Sequence, residues 1–384
     1  MTFLPFSARR PPPAQPTHDS TVQLLVAAAV LVLTIIAHFF LRPKHPKKRE
    51  TNHTGSQTKK KKAATQNDKL ANLVQTSLNS KEYSKCINLL PKLVEEYRYV
   101  EAGDLLLALR SSQPPLTQAQ RSKLDRLLAP QGALATLEER YLELTKALQL
   151  FNGDKQGWDV SQMGADTVVA ARMRPLSSSL QLIDVKIDAT LHNIDPADTL
   201  MIWREVGLYH KWFPFCSASS LLGPFVHAAE IVGHMVFEVA LYGVMDVVIR
   251  GFGGNNPRDG NMQLCVRPLS QRDTNIELPP KPEGKGKIFK LGRVHVVIDV
   301  LIEPISADSV RFCYSMTQPI PTAAPSWIVK MVLKRGMGTI FREMQKVALD
   351  MSRGKPDCPL VQHISRADYL PIAKWLRERA AAYG

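Results

Sequence analysis

Few of the side chains able to do chemistry fall at the spacings that chemistry needs. His227 and His234 stand seven apart with Glu230 between them, close to a metal spacing on a helix. A third ligand is missing, so both read as satisfied or surface histidines and no metal site is expected. Gly251-Phe252-Gly253-Gly254-Asn255-Asn256 reads as a loop, and it lacks the Lys and Ser/Thr of a phosphate cradle. There is no G-x-S-x-G, no H-E-x-x-H and no paired-carboxylate motif. No catalytic residue and no cofactor is therefore assigned, and the chain is not expected to be an enzyme. One charged pair has a spacing of interest. Asp246 and Arg250, in GVMDVVIRGFGG, share a face if that segment is a strand. Inside a cavity such a pair would orient a hydroxyl or a headgroup. On a solvent face, opposite Met245, Val247 and Ile249, it would be an ion pair worth under about 1 kcal/mol.

The elements that must position these residues follow from hydrophobic period. Residues 67–150 keep three-and-four spacing, as in Cys86, Ile87, Leu90, Leu93 and Val94. Breakers at Ser80, Gly103, Pro114-Pro115 and Pro130-Gln131-Gly132 divide the segment into four or five antiparallel helices, a small bundle that suits partner docking. From residue 151 the period becomes two. Ile183, Val185, Ile187, Ala189 and Leu191 alternate with polar residues, as do Val294 to Ile302 and Val310 to Met316, and weaker strands are expected near 166–174, 243–250 and 262–267. The linker at 303–308 is short enough for a hairpin, so the sheet is expected to be largely antiparallel. After Pro319-Ile320-Pro321 a helical stripe runs from Trp327, Ile328, Met331 and Val332 to Met337, Ile340, Phe341, Met344, Val347 and Ala348. Gly336 and Gly338 predict a kink in its middle. The fold class expected is α+β, with a curved antiparallel sheet closed by that long helix.

Two blocks carry a family resemblance: MIWREVGLYHKWFPFC, with Tyr209, Trp212 and Pro214, and VRFCYSMTQPIPTAAPSWIVKMVLKRGMGTIFREM. Together with the strands between them, residues 151–353 resemble a START-like (StAR-related lipid transfer, helix-grip) domain. The resemblance implies a hydrophobic cavity between sheet and helix, lined by Val296, Ile298, Phe312, Tyr314, Trp327, Met331, Ile340, Phe341 and Met344, with Asp246 and Arg250 as candidate polar contacts. A filled core is the competing reading of the same residues. Residues 224–242 read as helix where the family has strands.

Charge and hydropathy supply the remaining segments. Lys+Arg is 49 against Asp+Glu 35, a net +14. Nine basic residues against Glu50 in 42–62 account for +8 and residues 1–41 for +1, leaving +5 for the rest. No nucleic-acid partner is expected from so mild a balance. Residues 22–41 carry no formal charge and as a helix would cover about 30 Å, a bilayer's hydrocarbon thickness. RPKHPKKR follows, so residues 1–21 are expected outside or in the lumen and the bulk in the cytosol, with the endoplasmic reticulum the expected organelle. Residues 42–66 read as a basic flexible linker, and 354–384 as a tail with a short helix. Cys86, Cys216, Cys265, Cys313 and Cys358 are odd in number and widely separated, which suits a reducing compartment.

The expected function is binding, and transfer between membranes, of a lipid or sterol by a single-pass membrane-anchored protein. The alternative is a tethered scaffold whose helices at 67–150 recruit a protein partner, with no transfer. An enzyme acting inside a START-like cavity would need polar groups on the lining faces, where the strands show few.

Overall fold

The computed structural model describes residues 66–153, 157–163, 165–178, 180–223, 230–239, 243–256, 259–269, 276–281, 292–321, 326–361 and 370–383. The expected membrane span at 22–41 and the linker lie outside the described residues. Among the described residues no helix is long and apolar enough to cross a membrane.

Apolar residues at three-and-four spacing build five helices first: α1 (Gln66–Asn79), α2 (Tyr83–Glu95), α3 (Tyr99–Arg110), α4 (Gln118–Leu128) and α5 (Leu137–Asn152). Thr117 and Gln120 form a reciprocal capping box that starts α4. Gly103 is not a breaker. It sits inside α3, where the missing Cβ lets the Tyr141 ring lie against the backbone.

The period-two segments then form β1 (Asp159–Gln162), β2 (Thr167–Pro175) and β3 (Leu180–His192), followed by α6 (Pro196–Arg204) and a 3-10 turn (Val206–Lys211). Next come β4 (Cys216–Leu221), β5 (Glu230–Val239), β6 (Gly243–Asn256), β7 (Asn261–Pro268), β8 (Val297–Ser306), β9 (Ser309–Pro321), α7 (Ser326–Ser352) and α8 (Leu370–Tyr383). The nine strands form one antiparallel sheet in the order β1-β2-β3-β9-β8-β7-β6-β5-β4. The architecture is mixed α+β.

Three local expectations are corrected. Residues 230–239 are strand rather than helix: Ile231, Gly233 and Met235 face the core, and the segment pairs on both sides with β4 and β6. A run flanked by two partners gains a full ladder of hydrogen bonds that a helix reading of the isolated sequence does not count. Gly251–Asn256 is the end of β6 rather than a loop, and its glycines permit close approach. A Cβ on Gly254 would stand 3.0 Å from Leu144 Cδ1, 3.2 Å from Tyr97 O and 3.3 Å from Tyr99 Cδ2. Finally, α7 runs unbroken through Gly336 and Gly338, and Gly338 accommodates the end of Met163 from the β1–β2 turn.

Alternation gives the sheet two unlike faces. The inner face packs against α6, α7 and α8 in one apolar cluster that includes Val185, Ile187, Phe312, Phe341, Met344 and Trp375. On the outer face, Phe252 and Cys265 join a second cluster formed by the helices. The helical segment is thus packed on the sheet. Its α2–α3 turn presents the carbonyl of Tyr97, held at φ +59°, to the backbone N–H of Asn255 at 2.9 Å. Arg267 on β7 donates to Glu143 on α5 at 2.5 Å and to Asp299 on β8 at 2.7 Å.

Candidate functional site

The inner face is centred on β9, between β3 and β8. Register sets Tyr314 beside Ile187 and Val300, and Phe312 beside Ala189 and Ile302. Met316 follows on the same face, so the strand side chains bordering Tyr314 are apolar. From the helical side, α6 delivers Trp203. That helix starts where it does because Asp195 caps it, accepting from Ala197 N at 2.8 Å, with Pro196 in the first turn. Its end is fixed by the Tyr209 hydroxyl, which donates to the Trp203 carbonyl at 2.9 Å. Trp203 stacks on Phe312 (ring centroids 5.8 Å apart, planes 16° apart) and lies tilted on Tyr314 at 5.2 Å. Phe341 of α7 stacks on the Phe312 ring at 6.0 Å. Tyr209, Trp212, Phe213 and Phe237 continue the aromatic lining toward β5.

Several polar atoms in this apolar surround have no hydrogen-bond partner among the described residues, the indole N–H groups of Trp203, Trp212 and Trp375 among them. Tyr314 is 4% exposed, and among the described residues its hydroxyl meets no hydrogen-bonding group. Burial alone pushes its phenol well above the ordinary tyrosine range, so it stays neutral and able to donate. The Trp203 indole N–H is likewise buried without an acceptor.

Of the residues expected to line a cavity, Val296, Phe312, Tyr314, Phe341 and Met344 lie buried in the inner cluster, and Ile298 and Ile340 pack at its edge half-buried. Trp327 and Met331 fall on the first turns of α7, where the backbone alone is described. Asp246 and Arg250 are corrected. Val247 and Ile249 take the inner face of β6, so their neighbours point outward. Neither is a solvent-face ion pair. Asp246 is fully buried, accepting from Arg293 at 2.6 Å and standing 3.0 Å from His234 Nε2. Arg250 stands 3.7 Å from Glu230, which also meets Arg140 of α5. His234 therefore belongs to an ion-pair group on a strand, while His227 lies outside the described residues. Trp203 was not singled out from the sequence.

Charge elsewhere is tied up in structure. Burial pushes Asp184 up, but Arg174, Arg172 and the Thr317 hydroxyl outweigh it and hold the carboxyl below its ordinary range. On α6, burial pushes Asp198 up to about 6, only partly offset by the Ser352 hydroxyl, which donates to it at 2.6 Å. All five cysteines are buried, and burial pushes the thiols of Cys216 and Cys313 up to about 11 and about 12, the opposite of what a nucleophile needs. Among the described residues no group of three or more His, Cys, Asp or Glu side chains is arranged to hold a metal ion.

No protein-family model matches the chain, and neither does any curated protein. Solved structures do. Human STARD10 is 14% identical, with 59% of this chain and 88% of its own covered, at a TM-score of 0.45. The chain is similar to START domains. A STAR-related lipid transfer protein fragment from Xanthomonas axonopodis is 18% identical, covering 50% of this chain and 98% of its own, at 0.39. Human StAR-related lipid transfer protein 5 is 14% identical, covering 56% and 97%, at 0.41.

Proposed function

We propose that this protein binds one lipid or sterol molecule between the inner face of its sheet and α7, and carries it between membranes. One observation carries the reading: Tyr314, only 4% exposed, turns its hydroxyl into an apolar, aromatic and methionine-rich surround and finds no hydrogen-bond partner among the described residues. An unpaired polar atom in such a place is costly by about 1–3 kcal/mol, and a bound molecule with a polar end relieves that cost. Desolvating an acyl chain or sterol skeleton contributes about 0.8 kcal/mol per buried methylene, enough for an apolar site to compete with a bilayer. In this reading α7 is the closing helix of a helix-grip cavity, and Met337, Phe341 and Met344 are side chains able to repack around a guest. The apolar stretch at 22–41 and the basic residues after it support a membrane-anchored placement with the bulk of the chain in the cytosol, the endoplasmic reticulum being the expected organelle. No chemical step is required.

The test is native mass spectrometry of the full chain purified from eukaryotic cells, followed by extraction and identification of what it carries. A one-to-one lipid adduct is the expected result. Protein that is folded, repeatedly empty and unable to take up fluorescent lipids would sink the reading and favour the scaffold alternative.

A further inference from the structure

We propose that the ligand's buried end is an uncharged hydrogen-bond acceptor held by two donors, the Tyr314 hydroxyl and the Trp203 indole N–H. This rests on the lipid-binding reading and narrows it to a chemical class: a hydroxyl, or an ester or amide carbonyl, on an otherwise apolar body.

Three observations converge. The two rings are adjacent, tilted with centroids 5.2 Å apart; the Trp203 N–H is buried without an acceptor, and the Tyr314 hydroxyl, on a side chain 4% exposed, makes no hydrogen bond among the described residues. Both sit on rings held in place: Trp203 between Phe312 and Tyr314, with its carbonyl fixed by Tyr209, and Tyr314 between Ile187 and Val300 on a central strand. Side chains locked by packing present donors at fixed positions, which is how a site fixes the orientation of an apolar ligand. The third observation is the placement of charge. The buried carboxylates of the strands, Asp184, Asp246 and Asp299, take their guanidinium partners on the outer face. A phosphate reaching Tyr314 would meet two neutral donors and, among the described residues, no cation, and a buried, unpaired ion costs several kcal/mol. A neutral acceptor is satisfied by the same two donors at no such cost. Because an indole N–H only donates, the guest must bring at least one acceptor, whereas the phenol oxygen can also receive a proton from a ligand hydroxyl.

The full chain is incubated with phosphatidylcholine vesicles doped in turn with photoactivatable cholesterol, diacylglycerol, ceramide, phosphatidic acid or phosphatidylcholine. After irradiation, adducts are counted by intact mass spectrometry, and the three neutral arms tell a sterol from a glyceride or an amide. One-to-one adducts with a neutral probe in preference to both phospholipids are expected. Tyr314→Phe and Trp203→Phe should each lower that labelling about five- to tenfold, the worth of one hydrogen bond. An arm without any variant compares the preferred probe with its analogue lacking the polar group, and the wild type should favour the former by a similar factor. Equal labelling by the phosphatidylcholine probe, or indifference to the missing polar group, overturns the donor-pair assignment while lipid binding stands. No adduct with any probe overturns the lipid-binding reading itself, and the assignment with it.

Discussion

On the outer face of the sheet, Asp184, Asp246 and Asp299 are buried, and each meets a guanidinium at 2.6–2.7 Å, from Arg172 and Arg174, from Arg293, and from Arg267. On the inner face, a few ångströms through the same backbone, the Trp203 indole N–H and the Tyr314 hydroxyl meet no hydrogen-bonding partner among the described residues. The outer face pairs its buried carboxylates with guanidinium groups and so seats elements on one another, as Arg267 does between α5, β7 and β8. The inner face leaves hydrogen-bonding capacity unspent where the surround is apolar. A buried carboxylate with its counter-ion reads as architecture, and a donor left without an acceptor in an apolar, aromatic surround reads as a place for a guest.

The comparison breaks hardest if the outer pairs are dispensable. Asp246→Ala leaves Arg293 and its charge buried without a counter-ion, and loss of one partner of such a pair costs about 3–5 kcal/mol. Thermal unfolding followed by circular dichroism should show a large drop in melting point, with lipid labelling per folded molecule unchanged. A melting point near wild type would mean that the outer pairs are incidental. Gly254→Val tests the seam between helices and sheet. Its Cβ would press on Leu144, Tyr97 O and Tyr99 at 3.0–3.3 Å, and overpacking of this kind costs about 1–3 kcal/mol. Hydrogen exchange should quicken in α3 and α5 while β3 and β9 keep their protection. Unchanged exchange in α3 and α5 would show that the close approach at Gly254 does not hold the seam.

How far these faces could be read in advance depended on period. β3 and β9 alternate so regularly that Tyr314 and Phe312 could be placed on one face, with Asp184 and Asp188 on the other, from spacing alone. The same rule, applied strictly to β6, already put Asp246 opposite Val247 and Ile249, and the structure follows it. What period could not supply was the partner. Arg293 is 47 residues from Asp246, and no local pattern announces a contact at that separation. Residues 230–239 failed for a related reason: their strand state is set by pairing with β4 and β6, which is a property of the assembled sheet. Trp203 escaped because it arrives from a nine-residue helix whose every described side chain but one is buried, so that no stripe marks which face looks at the sheet.

A third test lies at the junction of α6, α7 and α8, where polarity is neither wholly satisfied nor wholly absent. Asp198 accepts from Ser352 at the end of α7, while Asp195 accepts from Arg377 of α8 at 2.6 Å. Burial raises the folded pKa of Asp198 to about 6 from 3.8, so the folded state binds its proton more tightly than the unfolded chain. Asp198 therefore weakens the fold at pH 7, and that penalty, about 1–3 kcal/mol, is relieved as pH falls from above 6 toward 4. Asp198→Asn keeps an acceptor for Ser352 and removes the titration. Its melting point at pH 7 should equal or exceed wild type, and the two proteins should differ less at pH 5 than at pH 7. A variant that loses stability at pH 7 but little at pH 5 would show that the carboxylate is needed ionised.

The smallest effect is also the most discriminating, because it compares two tyrosines in one cluster. Tyr209 and Tyr314 are equally buried, at 4% exposure each, and both pack on Trp203 or its carbonyl. Tyr209 donates to that carbonyl, whereas Tyr314 donates to no protein atom among the described residues. Tyr209→Phe should therefore cost about 1 kcal/mol, since it strands a buried carbonyl. Tyr314→Phe removes an atom that has already lost its water and gained nothing, so the ligand-stripped protein should be unchanged or slightly more stable. The order should reverse when lipid is present: bound ligand stabilises by an amount that grows with the logarithm of its affinity, and Tyr314→Phe forfeits part of it. Paired melts with and without lipid decide the matter. If Tyr314→Phe loses as much stability as Tyr209→Phe in stripped protein, its hydroxyl belongs to the architecture after all, and the inner face keeps the same rule as the outer.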